Sequence, residues 1–441
     1  MSEANTVKRL HTETNAFQRF FSTEVGSTLP LFLATAVAIA WANISHTSYE
    51  HVWHVELSFR LGDLVITKSL AHWIDEALMV LFFFVVGLEI KYEVLVGELA
   101  TFRKALLPVI AAVGGMLVPA GIFTILNYNQ PGIKGWGIPM ATDIAFALSV
   151  LALLSHRIPL GLKVFLSALA IADDLGAVLV IALFYTHQID WIYLGAAGML
   201  ILTLIIANRL WIRNTLVYAL LGLGVWVAFL GSGVHATVAG VLVAAFIPAR
   251  GKYETDEFLE EINFHINRFQ CEPGSCGFSI LLNAQHLDAV RGIEESCHDV
   301  ATPLQRLEIA LQPWVTYFII PLFALANAGL YLGDIDPSLA LTHMVTLGVC
   351  LGLFLGKPIG ISLFTLATAR WFKIELPQGV TSRHIIGAGC LGGIGFTMSL
   401  FIGGLSYTDP QMVAFTKLGI LIASVLAAGA GILILGTGIK E

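Results

Sequence analysis

The sequence predicts an all-α polytopic membrane protein of about 12 transmembrane helices, and three observations predict it. The 441 residues are 56% hydrophobic and only 12% charged, about half the charge share of a soluble domain. Apolar stretches of about 20 residues, long enough to cross a bilayer as helices, recur from residue 28 to the C-terminus. The cations sort by side. Of the 24 Lys and Arg, nineteen fall on the side of the N-terminus, four on the other, and Lys357 stands inside a span. Positive charge marks cytoplasmic loops, so both termini are expected in the cytoplasm. A net charge of −7 without a basic cluster excludes nucleic-acid binding.

Residues 1–27 are polar and form a cytoplasmic segment; with no cleavable signal peptide ahead of it, the first span is expected to start insertion itself. Spans are read at 28–45, 71–90, 105–127, 135–155, 160–185, 190–208, 214–231 and 233–249, the last two separated only by Gly231, Ser232 and Gly233. Residues 250–312 interrupt the pattern as an acidic cytoplasmic loop, in which Leu287, Val290 and Ile293 at helical spacing predict short amphipathic helices. A solvated loop is the plain reading of this segment, and a regulatory or partner-binding role the sharper one. Spans at 313–331, 341–368, 384–406 and 415–437 follow, with 438–441 as the tail. The five cysteines form no disulfide framework. Cys271 and Cys276 are spaced poorly for zinc, so with Cys297 they read as solvated thiols.

Few ionisable groups remain at membrane depth. Asp143, Asp173, Asp174 and Lys357 stand near span centres, with Asp75, Glu76 and Glu89 toward the ends of the second span. Each central charge costs roughly 2.5–3.5 kcal/mol against lipid, so the four must share a cavity and compensate one another. A buried ion-pair network that only ties helices together is the bland alternative. Three carboxylates and one lysine sum to −2 when all are ionised, so the site must take up protons or a cation. The adjacent Asp173 and Asp174 cannot both ionise easily. Such a pair holds a hard monovalent cation or protons on the same atoms, and that competition is what an exchanger requires.

Two spans carry breaks. GWGIPMATDIAFALSV places Gly135, Gly137 and Pro139 just before Thr142 and Asp143; IIGAGCLGGIGFTMSLFIGG places five glycines ahead of Thr397. Each interrupted span is the middle one of a triplet, and the triplets enter from opposite sides. That is the pattern of an inverted-topology repeat whose broken helices cross near the midplane. Asp143 suits the partial positive charge of inner helix N-termini. Lys357 suits the opposite ends or pairs directly with Asp173 or Asp174, and the sequence leaves both open.

These residues resemble the bacterial NhaA-type sodium/proton antiporters. The stretches that carry the resemblance are FFFVVGLEIK (82–91), LPVIAAVGGMLVPA (107–120), GWGIPMATDIAFALSVLALL (135–154), LKVFLSALAIADDLGAVLVIALFYT (162–186), GSGVHATVAGVLVAAFIP (231–248), PLFALANAG (321–329), LGKPIGISLF (355–364) and GIGFTMSLFI (393–402). They lie in order through nearly all the membrane region. Inverted repeats are a recognised feature of that family, so this expectation is shared with the resemblance. The resemblance implies that Asp173 and Asp174 bind Na+ or Li+ and protons, with Asp174 the stronger candidate for direct ligation. It also implies that Thr142, Asp143 and Lys357 support the site. It implies electrogenic exchange of cytoplasmic sodium or lithium for external protons, driven by the proton motive force and serving pH and sodium homeostasis. The setting is a bacterial inner membrane, with a homodimer expected and no cofactor.

For activation at alkaline pH, Glu89, Glu93 and Glu308 are the candidates, either as sensors or as a funnel that attracts cations. His235 is read first as a structural hydrogen-bonder and second as a proton sensor. The chain departs from the family pattern at Lys91-Tyr92-Glu93, at Asp75-Glu76, and beside Glu308, where Ile309 and Gln312 replace histidines. These departures bear on the pH set-point rather than on the exchange chemistry.

The alternative transport function is a sodium-coupled symporter of a small organic anion, but no buried arginine offers a carboxylate site. An enzyme is not expected: an intramembrane aspartyl protease needs its two carboxylates on facing helices, and Asp173 and Asp174 are neighbours on one. A channel gains nothing from a site that must be neutralised in each cycle.

Overall fold

The computed structural model describes residues 24–61, 64–154, 158–186, 189–251, 255–268, 284–333 and 336–437. Most of the N-terminal segment, the tail after 437, Cys271 and Cys276 lie outside the described residues.

Where the sequence places its spans, the chain is helical. The elements are α1 (Glu24–Ile44), α2 (His46–Trp53), α3 (Met79–Leu95), α4 (Phe102–Leu126), α5 (Ile144–Leu153), α6 (Leu160–Phe184), α7 (Trp191–Arg209), α8 (Thr215–Ser232) and α9 (Ala236–Phe246). The acidic loop contributes α10 (Thr255–Arg268) and α11 (Ala284–Val300), both amphipathic as expected and packed on each other. Then come α12 (Pro303–Asn327), α13 (Met344–Phe372), α14 (Ser382–Gly392), α15 (Phe396–Ser406) and α16 (Pro410–Gly436).

Among the described residues, 8 helices are long and apolar enough to cross a membrane, or up to 10 if each bent pair is one span. The protein is thus a multi-pass membrane protein. The other two predicted segments are α3, whose 17 residues fall just short of that length and carry Glu89, Lys91 and Glu93 toward one end, and α9, whose 11 residues rise only about 16 Å.

Helix starts follow side-chain capping. Asp190, Asn214 and Asp409 each accept a hydrogen bond from the first turn of α7, α8 and α16, and Thr302 with Gln305 forms a capping box at α12. The largest core lies among α1, α3–α6 and α12–α16, and a second joins α3 with α7–α9. The most apolar window of α6 is 61% buried against 17% for α7, so α6 is central and α7 peripheral.

Two spans are broken, as expected. A 3-10 helix, Pro131–Met140, meets α5 at 44°, and α14 meets α15 at 46°. The first half winds as 3-10 rather than α because two prolines and three glycines crowd its ten residues. Three other spans contain a π-turn: Ile74–Leu78 ahead of α3, Val315–Ile319 within α12, and Gly352–Gly356 within α13, directly before Lys357. Behind Lys357, α13 and α4 touch backbone to backbone. A Cβ on Gly360 would stand 2.1 Å from the Gly114 carbonyl oxygen.

One element departs from an all-helical reading. Strands β1 (Glu56–Leu61) and β2 (Leu64–Ser69) pair antiparallel from Glu56↔Ser69 to Leu61↔Leu64. Alternation around Gly62-Asp63, a favoured two-residue hairpin connection, was the available signal.

Candidate ion site at the crossing of two broken helices

The breaks meet each other directly. The Asp143 N–H donates to the Ile394 carbonyl at 2.7 Å, the Thr142 hydroxyl donates to the Gly392 carbonyl at 2.8 Å, and the Ser399 hydroxyl donates to the Ile138 carbonyl at 2.9 Å. Backbone groups freed by the breaks are therefore paired across the crossing, as an apolar interior demands.

Asp143 stands where two inner helix N-termini converge. Its Oδ1 accepts from the Phe146 N–H at 3.1 Å and so caps α5. Its Oδ2 accepts from the Thr397 N–H at 3.0 Å and from the Thr397 hydroxyl, in the first turn of α15. Each helix N-terminus carries a partial charge of about +0.5, so together they offset about one carboxylate.

On α6, Asp173 and Asp174 are 2% and 1% exposed. Successive helical residues point about 100° apart, so the two carboxylates face different neighbours. Asp173 turns to α13, where Lys357 Nζ donates to its Oδ2 at 2.6 Å and to the Thr142 hydroxyl oxygen at 2.9 Å. The sequence left the role of Lys357 open, and the geometry is a direct pair with Asp173, while Thr142 binds the end of α14. Asp174 turns instead into a cavity of about 250 Å³ whose lining includes Asp143, Thr397, Ser149, Glu89 and Gln312. Asp173 and Lys357 do not line it. The Oδ1 atoms of both Asp173 and Asp174 are buried and accept no hydrogen bond from the described residues. A larger groove of about 600 Å³, near Arg103 and Gln378, contains none of these residues.

The remaining predicted residues divide into two places. Glu89 lines the cavity, and Glu308 and Glu93 lie within electrostatic reach of it. Glu93 also accepts from the Glu98 N–H at 2.7 Å. Nearby, Lys91 Nζ donates to the Ala245 carbonyl at 2.7 Å and to that of Ile247, closing the end of α9. His235 is not with this group. Its Nε2 lies 2.7 Å from the Tyr185 carbonyl, at the far end of α6. Asp75 Oδ1 accepts from Asn327 Nδ2 at 2.8 Å, and Glu76 pairs with His72 at 3.1 Å.

Thr397, Ser149 and Gln312 were not picked out as site residues. Thr397 had a signal, as the second residue of the half-helix after the glycine run. Ser149 had none, since its place depends on a fold that brings α5 beside α15.

Comparison with known proteins identifies the family. The profile of the Na+/H+ antiporter 1 family matches residues 18–435. The Na(+)/H(+) antiporter NhaA 2 of Syntrophotalea carbinolica is 47% identical over 420 residues, 95% of each chain. The Na(+)/H(+) antiporter NhaA of Acidithiobacillus ferrooxidans is 48% identical over 419 residues, 95% of this chain and 96% of its own. That of Salmonella arizonae is 44% identical over 419 residues, 94% and 96% of the two chains.

Proposed function

The chain belongs to the Na+/H+ antiporter 1 family, and from that premise we propose how this sodium/proton antiporter uses the site at its broken helices. Nothing in the family or its relatives supports the symporter alternative.

The observation that carries the proposal is the split between the two aspartates. Asp143 is offset by two helix ends and Asp173 by Lys357, which leaves Asp174 as the carboxylate without compensation. It faces the cavity with Oδ1 unbonded, so it takes one Na+ or one proton, never both. Sodium entering the cavity meets Asp174, with the Ser149 and Thr397 oxygens nearby to replace its water. The second proton belongs to the Lys357–Asp173 pair. When Na+ binds, Lys357 gives up its proton and the freed Asp173 carboxylate turns to the ion. When protons return, the pair re-forms. Two protons then exchange for one sodium, and the cycle is electrogenic. Lithium, smaller and equally hard, fits the same oxygens.

The inverted repeat is part of this reading, supported by two bent spans of nearly equal angle whose breaks bond to each other. Glu89 and Gln312 line the cavity toward one face, and the excess of Lys and Arg on that side supports a cytoplasmic opening, within a bacterial inner membrane. A homodimer is supported by the outer edges of β1 and β2, which pair with no further strand among the described residues, since an isolated hairpin is marginal in water.

The test is direct. In inside-out vesicles with a respiration-driven pH gradient, sodium or lithium collapses the gradient and potassium does not. Asp174→Asn abolishes that collapse; a variant that retains it overturns the site assignment.

A further inference from the structure

A site that faces one side needs a closed wall toward the other, and the described residues show how that wall is layered. Beyond Thr397, one turn farther along α15, the Phe401 ring lies 5.6 Å from that of Phe83 on α3 and 6.1 Å from that of Phe323 on α12. All three are buried. Farther still from the cavity comes a polar layer. Lys417, two turns into α16, donates from Nζ to the Gly329 carbonyl at 3.0 Å, just past the end of α12.

The receptor for that ammonium is firmly held. Asn327 Nδ2 donates to Asp75 Oδ1 at 2.8 Å. The Tyr49 hydroxyl lies 2.7 Å from the Ala326 carbonyl and accepts from the Gly329 N–H at 3.2 Å. Asn43 Nδ2 donates to the Leu330 carbonyl at 2.8 Å. A Cβ on Gly329 would stand 2.3 Å from the Tyr49 ring, so the segment is fitted to that ring. Glu50 and Asp75 are the carboxylates in Coulombic reach of Lys417. Residues of α1, α2 and the π-turn ahead of α3 thus fix the end of α12, and Lys417 reaches it from α16, which packs against α15.

We infer that Lys417 is the latch of this wall: its bond to the Gly329 carbonyl holds α15 and α16 against α3 and α12, so the ion site faces only the cavity. The aromatic layer excludes water and ions but has no directional hold, because ring contacts survive small slides. A charged hydrogen bond does not survive them. It also contributes enough to change a two-state population roughly tenfold. Lys417 touches no transported ion in this arrangement. It is a positioning residue for alternating access.

The inference rests on the antiport reading above, and its test separates the two. In proteoliposomes of defined orientation, the apparent KM for sodium is measured from each face for wild type, Lys417→Met and Lys417→Arg. An apparent affinity scales with the population of the binding-competent state. Loss of the latch therefore lowers KM at the face opposite the cavity by about threefold or more and raises it at the cavity face, while Lys417→Arg stays near wild type. A residue needed only for folding reduces Vmax at both faces with KM unmoved. That result, or KM values moving together, overturns the inference. If the cavity faces outward instead, the two shifts exchange faces but stay opposed, so an error in topology is distinguishable. Should Lys417→Met fail to fold, Asp75→Asn decides. It keeps an amide partner for Asn327 and removes the charge beside Lys417, and opposed shifts of smaller size are expected.

Discussion

Thr397 shows how much one residue contributes at this crossing. Its N–H and its hydroxyl both reach Asp143 Oδ2, binding α15 to the start of α5 across 254 positions. Thr397→Val keeps the shape and the N–H but removes the hydroxyl. A hydrogen bond to a charged group contributes about 1.5–3 kcal/mol, so the variant is expected to melt at lower temperature in detergent and to bind sodium more weakly. Thr397→Ser should restore both. A valine variant with unchanged melting and unchanged KM would mean that Asp143 is held by the helix ends alone. The Asp173–Asp174 pair makes the same point from the other direction. Adjacency in sequence was legible and suggested one shared site, but 100° of helix turn gives the two carboxylates different partners.

At the scale of elements, position in sequence predicted more than shape. The spans, both breaks and the amphipathic loop helices were legible because apolar length, Pro and Gly runs and helical spacing are local signals. The β1–β2 hairpin carries an equally local signal around Gly62-Asp63, but it sits between two spans of a chain otherwise helical, where apolar length dominates the reading. The π-turns were not legible at all. Each inserts one residue into a helix that a periodicity argument treats as regular, and the one at Gly352–Gly356 re-aims Lys357. The contact of α4 with α13 that seats that lysine depends on a pair of small residues 246 positions apart. Gly360→Ala puts a methyl group against the Gly114 carbonyl, where only backbone can yield, and overpacking of this kind costs about 1–3 kcal/mol. We expect a lowered melting temperature and slower sodium-dependent collapse of the pH gradient. Gly404→Ala in α15, where a Cβ meets nothing within 4 Å, is the control, expected to be neutral or slightly stabilising.

For the whole molecule, the charge pattern explains what helix ends and pairs do not. Within the site only Asp174 stands uncompensated, yet the chain carries −7, and Glu89, Glu93 and Glu308 stand together near the cavity. An acidic mouth between apolar walls concentrates cations before they meet Asp174. That funnel reading makes a prediction the sensor reading does not share. Glu308→Gln removes one of three like charges without touching the ion site. Fields across water fade over about 10 Å at 0.1 M salt and about 30 Å at 0.01 M. The variant should therefore raise the KM for sodium severalfold at low ionic strength, and the difference should vanish when choline chloride is added to physiological strength. The activity–pH profile should keep its midpoint, because exchange remains set by the competition on Asp174. A shifted midpoint with a salt-independent KM would instead make Glu308 a proton sensor, and the departures at Ile309 and Gln312 would then retune it.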